Sequence, residues 1–259
     1  MVTEKELLAA RVFFRAVFPV IKVLLEEDPK FARKFAGVTA NIQIQAKNAP
    51  EDLATYFKFV DGVFEVVPGL AENPEITLCF SSVAKMNAMF AGRPVLPRFR
   101  GIFCHFGLFV KVMSLLMGLK LLMPDAKPKS AEKARLKVKM TLYMISTALS
   151  QLNKAGDPDM VKWTTKQPER IYQWSCEPEG IAAYLKIKAG NSKAGRGYYT
   201  RRKPFVHMKF GGVDAALAVL SNSVDMVKAM GEGLITVEGS PEYCAALGSF
   251  MVRIAALVS

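Results

Sequence analysis

Histidine is nearly absent from the 259 residues: there are two, His105 and His207. The four cysteines, Cys79, Cys104, Cys176 and Cys244, include no closely spaced pair. A zinc site of the usual kind needs such ligands at short spacing, so no metal centre is expected. Scattered cysteines read as reduced thiols, and a cytoplasmic location is expected. The chain opens on the acidic run Met-Val-Thr-Glu-Lys-Glu, and the apolar stretch behind it carries Arg11, Arg15 and Lys22. That is not the pattern of a secretory signal, and cations near the middle of a span are costly in hydrocarbon. The run Gly190–Gly197 lacks the Gly-Lys-Ser/Thr ending of a phosphate loop and reads as a flexible hairpin. No serine elbow or carboxylate pair stands out. No catalytic residue and no cofactor is therefore assigned, and enzyme activity is not expected.

What the chain does have is apolar surface and positive charge. Hydrophobic residues make up 51%, enough for one large domain or two small ones. Lys and Arg number 35 against 23 Asp and Glu, a formal charge of +12, which points to an anionic partner such as a membrane surface, a nucleic acid or a phosphorylated ligand. Thr3 and Glu6 form a capping box ahead of a long apolar helix from Leu7 to Leu25. At about 100° per residue, Arg11, Arg15 and Lys22 share one narrow stripe, and Pro19 predicts a kink. Such a helix is expected to be buried in the core or between the halves, or to lie on a partner or a membrane.

The hydrophobic period then shortens to two. Asn41–Gln45, Thr55–Phe59, Val63–Val67 and Ile76–Phe80 read as strands, with Asp61-Gly62 as a hairpin turn. Val83–Ala91 reads as a helix, Gly101–Phe106 as a strand and Leu108–Leu122 as a greasy helix stopped by Pro124. Asp125–Lys129 is the best linker, and Ser130 caps a more polar helix reaching Asn153. Strands are expected again at Arg170–Cys176, Ala182–Ala189, Arg196–Thr200, Phe205–Phe210 and Leu234–Glu238. Helices are expected at Val213–Leu220 and Pro241–Leu257.

The two halves align. Tyr56–Phe59 matches Tyr184–Ile187, Pro74–Gly92 matches Pro204–Asn222, and Gly101–Gly107 matches Gly233–Gly239. Phe205–Phe210, the helix from Val213, the glycine-bounded strand Gly233–Gly239 and a closing apolar helix together resemble the sterol carrier protein-2 (sterol-transfer) family. The resemblance implies an α+β fold of two units, a divergent copy at residues 1–127 and a closer copy at 128–259. Each would be a mostly antiparallel five-stranded sheet covered by helices on one face. It also implies non-covalent binding, and transfer, of a fatty acid, acyl ester or sterol-like lipid in an apolar cavity between sheet and helices.

The residues offer faces for such a cavity. The strands supply Ile76, Leu78 and Phe80 in one half and Val206, Met208 and Phe210 in the other. The helices supply Met86, Met89 and Phe90, then Ala216, Leu217 and Leu220, and the closing helix supplies Leu247 and Phe250. Thirteen methionines suit a surface that meets varied apolar partners. The repeat places His105 opposite Val237 on the inward face, as a buried imidazole or an anchor for a head group, and His207 on the other face from Val206. Arg196, Arg201, Arg202 and Lys203, with Tyr198 and Tyr199 among them, form a basic aromatic patch. It suits an anionic membrane surface better than nucleic acid, because the rest of the chain is so apolar. The alternative reading is a structural or accessory subunit whose filled core mediates homo-oligomerisation.

Overall fold

In the computed structural model of the protein, residues 2–47, 49–50, 53–221, 224 and 226–258 are described. One end of the repeat match, Asn222, lies outside them. The chain divides into two compact units, residues 1–120 with 256–259, and Leu121–Ala255.

The capping box starts the first unit. The Thr3 hydroxyl accepts from the Glu6 amide at 3.2 Å, and the Glu6 carboxylate accepts from the Thr3 amide at 2.8 Å. Helix α1 (Glu4–Val12) does not continue regularly into the apolar run. Pro19 has no amide hydrogen for the helical ladder, and the path passes through a π turn, Phe13–Val17, and a 3₁₀ turn, Phe18–Val20, before α2 (Ile21–Glu27). Asp28 caps α3 (Pro29–Phe35). The run lies on its own unit's sheet, where the Phe18 ring is 5.0 Å from Phe57 and 4.8 Å from Phe90. Arg15 and Lys22 stay exposed, so the cationic stripe faces solvent and the rest of the circumference is core.

The sheet consists of β1 (Ala40–Ala46), β2 (Thr55–Val60), β3 (Val63–Pro68), β4 (Ile76–Phe80) and β5 (Arg98–Arg100), in the order β3-β2-β1-β4-β5. Asp61 and Gly62 make the hairpin turn with φ of 50° and 79°, the left-handed pair that a two-residue turn requires. Helices α4 (Val83–Phe90) and α5 (Phe106–Gly118) complete the unit.

The second unit opens with α6 (Ala131–Lys154), capped by Ser130, and α7 (Pro158–Thr165). Its strands are β6 (Arg170–Cys176), β7 (Ile181–Lys188), β8 (Asn191–Arg196), β9 (Val206–Phe210) and β10 (Ile235–Gly239). Between and after the last two come α8 (Val213–Leu220), α9 (Met226–Gly231) and α10 (Pro241–Val258). Read from the other edge, the order β8-β7-β6-β9-β10 repeats that of the first sheet. In each sheet the central pair, β1 with β4 and β6 with β9, is parallel, and the flanking ladders are antiparallel. The sheets are therefore mixed rather than mostly antiparallel.

Two features recur in both units. Gly101 and Gly239 end the fifth strands with φ of 81° and 104°, and a Cβ on either would lie 1.9 Å and 2.0 Å from the carbonyl oxygens of Glu75 and Phe205. Glu75 and Phe205 hold the same place, one residue before β4 and β9. Gly101 is thus the counterpart of Gly239, and the match of Gly107 to Gly239 is out of register. The expected strand Gly101–Phe106 is corrected accordingly: pairing ends at Arg100 and the chain turns.

The second shared feature is a buried glutamine on the first central strand. Gln43 Oε1 accepts from the Ala71 amide at 2.8 Å, and Gln173 Oε1 accepts from the Tyr199 amide at 3.0 Å. Each ties the loop after the third strand to the sheet's polar face. Gln173→Leu should therefore lower stability by about 1–3 kcal/mol, by leaving the Tyr199 amide without its acceptor. The loop should also gain protease sensitivity. Unchanged melting and cleavage would show that the latch holds nothing.

Candidate functional site

Alternation along the strands gives each sheet one apolar and one polar face. In the first unit Ile76, Leu78 and Phe80 are buried in register with Ile42, Ile44 and Ala46, and Met86 of α4 is buried with them. Phe90 is half-buried, 5.8 Å from Phe80 and 5.8 Å from Phe13, and Met89 is half-buried. Phenylalanine rings occupy this layer: Phe57 meets Phe64 at 5.4 Å, and Phe59 meets Phe35 at 5.0 Å.

In the second unit Val206, Met208 and Phe210 are buried in register with Tyr172, Trp174 and Cys176. Helix α8 packs on β9, β10 and α6, and α6 on β7 and β8. Ala216 and Leu247 are buried, while Leu217, Leu220 and Phe250 are half-buried. Trp174, which spacing alone did not single out, is 0% exposed, and its indole Nε1 has no hydrogen-bond partner. A buried donor left unmade costs about 1–3 kcal/mol. The signal for it was the aromatic residue at an inward position of a central strand, but its partners are a property of packing. Nearby, the Arg170 guanidinium stacks 4.0 Å from the Phe205 ring and 4.3 Å from Tyr243. Burial pushes the Cys176 thiol up to about 12, so it stays protonated and inert as a nucleophile.

His105 is not an inward strand residue. Because the glycine clamp stops β5 at Arg100, His105 reaches the cap position of α5, where it is exposed and makes no side-chain cap. His207 does lie on the other face from Val206 and Met208, as expected. Its Nε2 is 2.8 Å from the Ser175 hydroxyl on the neighbouring strand. Burial and the Lys209 ammonium hold the imidazole pKa below its ordinary value, so the ring is neutral near pH 7. Glu238, in register with His207, accepts from Lys209 at 2.6 Å. Ser175 is fully buried, and the pair ties β6 to β9 on the polar face.

The basic patch is not a hairpin. The turn is at Ala189-Gly190, with φ of 45° and 83°, and the strand that follows is Asn191–Arg196 rather than Arg196–Thr200. Residues 197–204 then cross the polar face of the sheet, with Tyr199 5.0 Å from Tyr184. Arg196, Arg201, Arg202 and Lys203 are exposed. Arg196 lies 5.0 Å over the Tyr143 ring, and Arg202 pairs with Glu169 at 3.3 Å. Glu169 also holds Lys186 at 3.1 Å and Lys188 at 3.6 Å, and these cations keep its carboxyl below the usual range. Arg202, Lys203 and Arg170 line a groove of about 640 Å³ with Phe205 and Glu238.

No family model matches the chain, and no curated protein matches it. Solved structures do. The palmitated SCP2L2 protein of Aedes aegypti is 18% identical over 41% of this chain and 90% of its own, with a TM-score of 0.30. Sterol carrier protein 2 of Yarrowia lipolytica, in apo form, is 16% identical over 41% and 92%, with a TM-score of 0.29. The sec-alkylsulfatase Pisa1 of Pseudomonas sp. is 12% identical over 55% of this chain, with a TM-score of 0.26; the match spans 28% of that enzyme's length.

Proposed function

We propose that the protein binds a long-chain apolar molecule, a fatty acid, acyl ester or sterol-like lipid, between the sheet and helices of its second unit. The observation that carries this reading is the unpartnered Trp174 N–H at the centre of an otherwise apolar layer. Each of these lipids carries an oxygen that accepts such a hydrogen bond. The helical cover suits entry of a chain: in α10, an 18-residue apolar helix, only Leu247 and Ile254 are fully buried. Leu217, Leu220 and Phe250 keep part of their surface uncovered, so the cover can shift without giving up a close-packed core. The resemblance to the sterol carrier family points the same way, and a cytoplasmic carrier is the role it suggests. The first unit, whose layer is filled by phenylalanine rings, better suits the structural role.

A delipidated sample should take up a doxyl-labelled fatty acid with quenching of Trp174, measured in a Trp163→Phe background so that one indole reports. Unlabelled lipid should reverse the quenching. Flat titrations with fatty acid, acyl ester and sterol probes alike would overturn the reading.

A further inference from the structure

We infer that the first unit docks on an anionic bilayer surface through the Gly101–His105 turn and the outer stripe of α5. This is independent of the ligand in the second unit. From Ile76 to Pro124 the chain contains no Asp or Glu, while it contains Lys85, Arg93, Arg98, Arg100, Lys111 and Lys120. The acid just before this stretch, Glu75, turns its carboxylate onto the Asn41 amide at 2.6 Å. Every charged side chain that this stretch contributes is therefore a cation, the complement of a phospholipid headgroup layer; the acids nearest to it on another element, Glu4 and Glu6, belong to α1 beside α4 and not to the turn or α5.

The same stretch displays apolar side chains that a soluble surface would cover. Phe103 is fully exposed, Leu96 is 87% exposed and Phe106 is 66% exposed. Phe103 sits in a turn closed by the His105 amide, which donates to Gly101 O at 3.1 Å and Ile102 O at 3.2 Å. Phe106 is backed by Phe109, which packs on Phe99 at 4.9 Å. The helix turns Val112 and Leu115 inward. Phe106, Val110 and Met117, all exposed, fall within one arc of about 40° on the opposite side. Both stripes of α5 are thus apolar, the pattern of a helix that lies in an interface with cations at its edge.

Charge decides among occupants. A second copy docking through the same patch would bring Arg93, Arg98 and Arg100 of both chains together, like charge against like. Nucleic acid would meet the arginines and Phe103, but would leave the aliphatic surface of Leu96, Val110 and Met117 without a partner. A bilayer satisfies both sets at once, the rings at the acyl boundary and the guanidinium groups on phosphates.

The full chain should sediment with phosphatidylcholine vesicles containing about 30% phosphatidylserine and far less with pure phosphatidylcholine, and added salt should release it. Arg98→Ala with Arg100→Ala should reduce partitioning roughly 30-fold, about fivefold per cation. Phe103→Ser with Phe106→Ser should reduce it roughly tenfold and leave the salt dependence in place. These side chains are exposed, so circular dichroism and melting should match the parent and show that the variants fold. Equal binding to both vesicle types, no binding, or variants that bind like the parent would overturn the inference. So would loss on Arg201→Ala with Lys203→Ala in place of the first-unit pair. A dimer that Phe103→Ser with Phe106→Ser converts to monomer would assign the patch to a second copy. Tight single-strand binding lost with Arg98 and Arg100, without vesicle binding, would assign it to nucleic acid.

Discussion

Gly239→Ala and Gly101→Ala should each destabilise their unit by about 2–6 kcal/mol, the sum of backbone strain and a clash that nothing flexible can relieve. The added methyl would stand 2.0 Å from Phe205 O in one unit and 1.9 Å from Glu75 O in the other. Both neighbours are backbone atoms immediately ahead of a central strand, so relief requires the fifth strand to move off the fourth. Gly180→Ala is the control: it has a φ of 68° and nothing within 4 Å of the new carbon. It should lose only the left-handed penalty, about 1–2 kcal/mol. Denaturant unfolding of the three variants measures the difference. For Gly239→Ala, amide exchange should rise first along β9 and β10, which pair from Ile235–Phe210 to Gly239–Val206. Equal losses in all three would mean that the clamp does not constrain the chain.

That pair of glycines also shows where the amino-acid pattern was legible and where it was not. Alternation made the strands visible, since Ile42, Ile44, Ile76, Leu78, Val206 and Met208 all face one buried side. It could not reveal that the central pairs run parallel, because the period of two is the same in either direction. The glycines around Gly101 and Gly107 offered two registers, and only the approach of Glu75 O selects the first. His105 followed that choice from an inward strand position to an exposed helix cap. The latches of Gln43 and Gln173 were not legible: alternation marks the strands that carry them, but the groups that donate to these side chains, the Ala71 and Tyr199 amides, lie more than two dozen residues away. The apolar site residues were legible as faces. How completely each face is filled depends on packing, which separates the phenylalanine-filled first layer from the second with its unpartnered indole.

Substitution of Trp174 separates a ligand site from ordinary core. Trp174→Ala should cost about 3–5 kcal/mol, as for any large ring removed from a fully buried place. Trp174→Phe removes the unpartnered N–H together with a little volume. Relief of an unmade donor offsets a small cavity, so delipidated protein should keep nearly its parental melting temperature. Fatty-acid affinity should nevertheless fall about tenfold, because a hydrogen bond of about 1–1.5 kcal/mol to the lipid oxygen is lost. An alkane probe of the same length has no oxygen to place and should bind the parent and Trp174→Phe alike. Comparison in the delipidated state matters, because bound cargo stabilises the folded form by mass action and would mask the change. If Trp174→Phe loses stability as Trp174→Ala does while fatty-acid binding is unchanged, the indole is a packing group, and a lipid held by this protein is anchored elsewhere.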